Sequence, residues 1–162
     1  TTLGPVVNKI QYEKIKSYIE KGIAEGATLV TGGSDLPDNI ERGFFIKPTI
    51  FANVKNNMTI AKEEIFGPVL SVIGYEDEND AIAIANDTDY GLSGYISSSN
   101  MVKATSMARK IRSGMVHINY APVNQKAPFG GYKKSGNGRE WGEHGIEDFL
   151  EKKSIIGLEN ST

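Results

Sequence analysis

The chain has 162 residues, enough for one domain with a real core or for part of a larger one, and its 39% apolar and 23% charged residues are ordinary for a soluble globular protein. A net charge of -2 gives no reason to expect nucleic acid or an anionic membrane as partner, and no apolar run approaches the roughly 20 residues that span a bilayer. There is no Cys, which excludes a disulfide scaffold and a thiolate metal site and is compatible with a cytoplasmic protein.

Thr1 to Pro5 shows no signal-peptide pattern, and an opening on a loop-like stretch leads us to expect a piece of a longer protein. Asn8 is placed to cap a helix, with Gln11 three residues on in the reciprocal capping position. Ile15, Tyr18, Ile19 and Ile23 continue at helical spacing, and Gly26 ends the element. Thr28 to Thr31 is a short β-rich run. Ser34 to Gly43 is polar, with Pro37, Asp38 and Asn39, and reads as a surface loop. Phe44 to Phe51 is strand-like, and Pro48 makes it an edge or irregular strand.

From Val69 the pattern becomes regular. Val69 to Ile73 is a short apolar run, and Glu76 to Asn86 is a helix whose acidic start suits its positive end. Tyr95 to Ser97 belongs to a second strand. Asn100 caps a helix carrying Ala104, Met107, Ala108 and Ile111 on one face, Gly114 stops it, and Met115 to Asn119 is a third strand. This order predicts an α/β fold: an open, mainly parallel twisted sheet with a βαβαβ unit and flanking helices. Sites in such sheets open at the carboxyl ends of strands, which directs attention to the loop after Asn119. That loop, Tyr120 to Gly138, is long, and Pro128-Phe129-Gly130-Gly131-Tyr132 within it is a tight turn between aromatics. Arg139 to Leu150 reads as a helix interrupted by Gly142 and Gly145, and Lys153 to Leu158 as a terminal strand.

The segment Lys62-Glu63-Glu64-Ile65-Phe66-Gly67-Pro68 concentrates the chemistry. Glu63 and Glu64 do not make an acid/base pair, because adjacent side chains point in different directions in helix or strand. Two readings stand. In one, one Glu is solvated and the other caps a backbone or pairs with a Lys; in the other, Glu64 accepts hydrogen bonds from a ribose diol while Phe66 backs a nicotinamide ring. Asn119 either donates to a developing oxyanion or satisfies loop backbone, as Asn commonly does. Phe129 lines an apolar substrate channel or is ordinary core. His117 and His144 lack metal-ligand spacing and a neighbouring nucleophile, and both are assigned to structure; no metal site is expected. Gly136-Asn137-Gly138 is a poor dinucleotide fingerprint, because Trp141 fills the third glycine's place.

Ala61-Lys62-Glu63-Glu64-Ile65-Phe66-Gly67-Pro68-Val69 resembles the Glu-Glu-x-Phe-Gly-Pro signature of NAD(P)-dependent aldehyde dehydrogenases. Gly43-Phe44-Phe45-Ile46-Lys47-Pro48-Thr49, then Tyr90-Gly91-Leu92-Ser93, then Asn119 with Pro128 to Gly136 follow in the family's order, and Gly4-Pro5 and Gln11 also fit. The resemblance runs from about Gly4 to Leu158 and corresponds to roughly the C-terminal third of a family member.

That resemblance implies NAD or NADP as cofactor. Glu64 then holds the nicotinamide ribose, Phe66 lies beside the nicotinamide, and Gln11 is near the adenosine end. Asn119 and Phe129 fall where the family lines its substrate channel. Residues 1–150 correspond to part of the catalytic domain, and residues 151–162 to a tail strand that joins subunits into a dimer or tetramer. The implied activity is oxidation of an aldehyde to a carboxylic acid through a Cys thiohemiacetal and thioester. This chain has no Cys, and the family's cysteine and base lie upstream of the matched region, so no catalytic residue is assigned here and the chain alone is expected to be inactive. The alternative is a non-catalytic homologue, an assembly module that keeps the fold and the tail.

Overall fold

The computed structural model describes residues 3–38 and 40–157. The chain divides into two compact units, Thr1–Asp87 and Thr88–Thr162.

The first unit opens with helix α1 (Lys9–Ala24). Asn8 caps it as expected, its side chain accepting a 2.9 Å bond from the Gln11 N–H. Gly26, at φ +92°, follows the helix end in the left-handed conformation that glycine adopts without strain. Ile15 and Ile19 are fully buried, but Ile23 is not. The buried stripe continues through Gly22 instead, where an added Cβ would lie 2.9 Å from Ile60 Cδ1 and 3.3 Å from Phe51 Cζ. A hydrophobic count passes over a glycine, yet here its missing side chain lets the sheet and α2 come close.

Strands β1 (Thr28–Thr31), β2 (Thr49–Ala52) and β3 (Val69–Ser71) form a sheet in that order, β1 antiparallel and β3 parallel to β2. Pro48 therefore does not mark an edge strand: β2 is the central one. The proline sits just outside the ladder, and pairing starts at the next residue, where Thr49 N–H donates to Pro68 O at 2.9 Å. The strand is also shorter than Phe44 to Phe51. Helix α2 (Thr59–Lys62) connects β2 to β3, and α3 (Glu78–Asn86) follows, capped by the Asp77 carboxylate at 2.8 and 2.9 Å from the N–H groups of Asn79 and Asp80. The core gathers Ile15, Ile19, Ile46, Phe51, Val54, Met58, Ile60 and Ile65.

In the second unit, β4 (Ser93–Ile96) and β5 (Met115–Ile118) pair in parallel, in the register Ser93 opposite Met115 through Ile96 opposite Ile118. Helix α4 (Met101–Ala108) connects them, capped by Asn100 and with Ala104 fully buried. The α/β class and the parallel pairing stand, but the parallel strands fall in two sheets rather than one continuous βαβαβ run, β3 with β2 and β4 with β5. Periodicity reports that a strand exists; it does not report which strand takes its hydrogen-bonding edge. The helix read over Arg139 to Leu150 contracts to α5 (His144–Glu147). Trp141 and Gly142 both take positive φ, 65° and 61°, which ends any helix at that point. Residues 151–157 form no strand within this chain, and Leu158 lies outside the described residues. Among the described residues, no helix is long and apolar enough to cross a membrane.

Glu25 ties the end of α1 to the start of α2. Its carboxylate accepts from the Thr59 hydroxyl at 2.6 Å and from the Thr59 N–H at 2.7 Å. Those bonds favour the charged form and hold the carboxyl below its ordinary value of 4.5. A lowered folded-state pKa gives a stabilisation that is complete above the unfolded value and lost as pH falls through the folded one. In thermal melts, Glu25→Gln is expected to melt below the parent chain at neutral pH, with the gap closing as the solution is acidified through the carboxylate range. A gap independent of pH would remove the ionised carboxylate from the account.

Candidate functional site

In the first unit, the segment after α2 takes its shape from its neighbours. Glu63 leaves the helix in an extended conformation, with its N–H still donating to Thr59 O at 2.9 Å. Ile65 is buried in the core, whereas Glu63, Glu64 and Phe66 on either side are exposed. Phe66 has φ +55° and leaves 74% of its surface in solvent. A left-handed bulky residue costs about 1–2 kcal/mol, so something must hold it there.

Helix α1 supplies that hold. The Gln11 amide Nε2 donates to the carbonyls of Ile65 and Phe66, each at 3.0 Å. Lys14 Nζ donates to the Glu64 carbonyl at 3.0 Å. Gln11 therefore does not return to the Asn8 N–H as a reciprocal cap; its side chain is engaged across more than fifty residues of sequence. Gly67 lies so close to α1 that a Cβ would stand 2.6 Å from Ile15 Cδ1. Neither Glu63 nor Glu64 has a side-chain hydrogen bond or ion pair among the described residues, so the expectation that one of them caps a backbone or pairs with a Lys is not met. The Lys partner exists, but it binds the Glu64 main chain. Gln11, Glu64 and Phe66 are thus brought together. Lys14 was not anticipated, although its position one helical turn after Gln11 puts both on one face.

In the second unit, a pocket of about 580 Å³ opens at β4 and β5. Tyr95, His117, Pro122, Val123, Phe129 and Trp141 are among its walls. Phe129 packs on Trp141 with ring centroids 4.9 Å apart and planes at 41°, and the Tyr95 and His117 rings stack at 4.9 Å and 14°. Phe129 also exchanges backbone bonds of 2.7 and 2.8 Å with Glu140. Asn119 does not line this pocket. Its side chain accepts from Ser98 N–H at 2.8 Å and donates to Ser98 O at 2.9 Å, and the residue itself sits at φ +51°. Its amide is engaged with loop backbone. His144 is exposed, 3.6 Å from the Glu147 carboxylate. Among the described residues, no group of His, Asp and Glu is arranged to hold a metal ion.

Gly91 joins the long loop to the sheet. Its N–H donates to Ser135 Oγ at 3.0 Å, and its carbonyl accepts from Gly114 N–H and Tyr132 N–H at 3.0 and 2.9 Å. Arg139 closes the loop from the other side, donating from Nη1 to the carbonyls of Gly131, Asn137 and Gly138 at 2.9–3.0 Å. The Gly136-Asn137-Gly138 turn is therefore an arginine-bound structural turn.

Residues 1–155 match the model of the aldehyde dehydrogenase family, and the chain belongs to that family. A 3-succinoylsemialdehyde-pyridine dehydrogenase from a Pseudomonas species is 54% identical over 161 residues, covering 99% of this chain and 34% of that protein. Among solved structures, a Cys-to-Ala variant of aldehyde dehydrogenase C from Pseudomonas syringae, complexed with NAD+ and octanal, superposes with a TM-score of 0.96 at 49% identity, over 100% of this chain and 33% of that one. A Mycobacterium tuberculosis aldehyde dehydrogenase complexed with NAD+ gives 0.93 at 48% identity, over 99% and 33%. The chain spans about a third of the length of the relatives it matches.

Gly114 tests how tightly the pocket's loop is seated. A Cβ there would lie 1.8 Å from the Gly130 carbonyl oxygen, a backbone atom that no side-chain rotation relieves. Gly114→Ala is expected to destabilise the fold by about 1–3 kcal/mol in urea and to red-shift the emission of Trp141, the chain's one tryptophan. An unmoved emission maximum and midpoint would show that the loop is not seated on β5 in this way.

Proposed function

We propose that this chain is the C-terminal part of an NAD(P)-dependent aldehyde dehydrogenase that oxidises an aldehyde to a carboxylic acid. Glu64 and Phe66 meet the nicotinamide end of the cofactor, and Gln11, which the resemblance sets near the adenosine end, acts instead on the backbone of that segment. The observation that carries the reading is the juxtaposition at residues 64–66: an unengaged carboxylate beside an exposed ring, on backbone held from behind. An ionised carboxylate is an acceptor for the two hydroxyls of a ribose, and a bare phenyl face suits a flat heterocycle. The residues present thus fit a nicotinamide nucleotide, and NAD+ in the solved complexes of two relatives supports it.

When bound, the cofactor supplies the acceptor for a hydride. The chain's contribution is to orient it: Glu64 limits rotation of the ribose, and Phe66 limits movement of the ring. The pocket at Phe129 belongs to the aldehyde's approach, with apolar walls that exclude water. Asn119, with its amide tied to Ser98, shapes the entry to the loop that lines that pocket. The nucleophile is a Cys outside this chain, which forms a thiohemiacetal and then a thioester that water hydrolyses. The chain alone is inactive. The full protein works in the cytoplasm as a homo-oligomer, with residues 151–162 adding a strand to a neighbouring subunit.

In the full-length protein, Glu64→Gln is expected to slow hydride transfer about 10- to 100-fold with little change in aldehyde capture, because a charge-assisted hydrogen bond contributes about 1.5–3 kcal/mol. Stopped-flow formation of NAD(P)H across a panel of aldehydes separates the two steps. Impaired capture with intact hydride transfer would give Glu64 another role, and no NAD(P)H from any aldehyde would defeat the enzyme reading. Truncation before Lys153 is expected to move the protein to a smaller species on size-exclusion chromatography. An unaltered elution volume would exclude the tail from the interface.

A further inference from the structure

We propose that α1 is a clamp that sets the conformation of the Glu64–Phe66 segment, with Gln11 and Lys14 as its positioning residues. The proposal rests on the reading that this segment meets the cofactor's nicotinamide ribose. It assigns Gln11 an action through the segment's backbone.

Three consecutive carbonyls, those of Glu64, Ile65 and Phe66, accept from two side chains one helical turn apart on α1. In an extended chain, successive carbonyls point to opposite sides. The Ile65 and Phe66 carbonyls flank one residue, so both reach a single amide nitrogen only if Phe66 leaves the extended region. Its φ of +55° is that departure. The two N–H groups of a planar amide are fixed relative to each other, so binding both carbonyls sets their mutual angle. Lys14 is itself restrained, its Nζ lying 5.6 Å from the Tyr18 ring centroid one turn further along α1. Ile65, buried between the two exposed side chains, and Gly67, tight against Ile15, prevent the segment from sliding along the helix. With its carbonyls turned to α1, the segment leaves the Glu64 carboxylate unbonded and the Phe66 ring exposed.

The experiment uses the full-length protein with NAD+ as probe. It compares Gln11→Met, which keeps length and loses both donors, with Lys14→Met, Lys14→Arg and Glu64→Gln. Amide hydrogen exchange is read at Val69, whose N–H donates to the Gly67 carbonyl at 2.8 Å, with Phe51 in the core as reference, alongside KM for NAD+ and the hydride-transfer rate. Loss of the two Gln11 bonds is expected to speed exchange at Val69 about tenfold or more while leaving Phe51 unchanged. It should also raise KM for NAD+ more than it lowers kcat. Lys14→Met should act in the same direction and Lys14→Arg should retain most of the parent's behaviour, which reads the clamp even if Gln11→Met does not fold. Unchanged exchange at Val69 in both Met variants would overturn the clamp, and so would acceleration at Phe51 equal to that at Val69. Should Glu64→Gln leave hydride transfer intact while the exchange effect of the Met variants persists, the ribose reading falls and the clamp stands.

Discussion

Ile15 and Ile19 of α1, both without solvent exposure, pack into the same core as Phe51, Ile60 and Ile65, and this apolar contact governs the first unit. Full burial of an isoleucine side chain is worth about 1.5–3 kcal/mol, so the pair outweighs any single polar contact nearby. Because Ile65 belongs to that cluster, the residues around it cannot drift from α1. The opposite, polar consequence follows from the same placement: Gln11 and Lys14, on the turns of α1 before Ile15 and Ile19, come within reach of the segment's carbonyls. Core packing fixes the distance, and hydrogen bonds then select the conformation.

The second unit is organised by different means. Among its described residues the buried side chains are small, Ala104 and Ser113, together with glycines such as Gly91, Gly130 and Gly131. Order there comes from hydrogen bonds that converge on the Gly91 backbone and from Arg139, whose guanidinium serves three carbonyls of the long loop, those of Gly131, Asn137 and Gly138. Such a junction needs glycine because the chains approach within the space of a methyl group: a Cβ on Gly91 would lie 2.6 Å from the Arg112 carbonyl oxygen. The aromatic walls of the pocket stand on this polar frame.

The elements that were legible in the sequence are those written in local chemistry. Asn8 and Asn100 each cap the helix that follows, because a short polar side chain before a helical run has one dominant use. Gly26 ends α1 for an equally local reason. What escaped depends on partners distant in sequence. Gly22 counts as nothing in a hydrophobic pattern, yet it admits Ile60 and Phe51. Pro48 looked like an edge signal because the start of the ladder cannot be read from composition. Gln11 offered a plausible partner three residues away and took one more than fifty away. Of the candidate site, the residue types and the grouping of Glu64 with Phe66 were legible; the left-handed turn at Phe66 and the role of Lys14 were not. For Asn119, the plainer of its two readings, loop support, is the one the hydrogen bonds match.

The Glu-Glu-Ile-Phe-Gly-Pro segment then reads as a sequence of distinct physical tasks rather than a patch of reactive groups. Glu63 takes the chain out of α2, and Ile65 anchors it in the core. Phe66 reverses the backbone so that adjacent carbonyls face one amide. Gly67 passes where Ile15 leaves no room for a side chain, and Pro68 delivers its carbonyl to Thr49 at the start of the β2–β3 ladder. Among the described residues the Glu64 side chain, like that of Glu63, makes no hydrogen bond or ion pair, and Glu64 is the one that stands beside the exposed Phe66 ring. A carboxylate left unengaged at the one point where five neighbours are constrained is preorganised: the ordering entropy of the backbone beneath it is already met by the fold. A ligand that binds there has only the carboxylate's own rotamers to order.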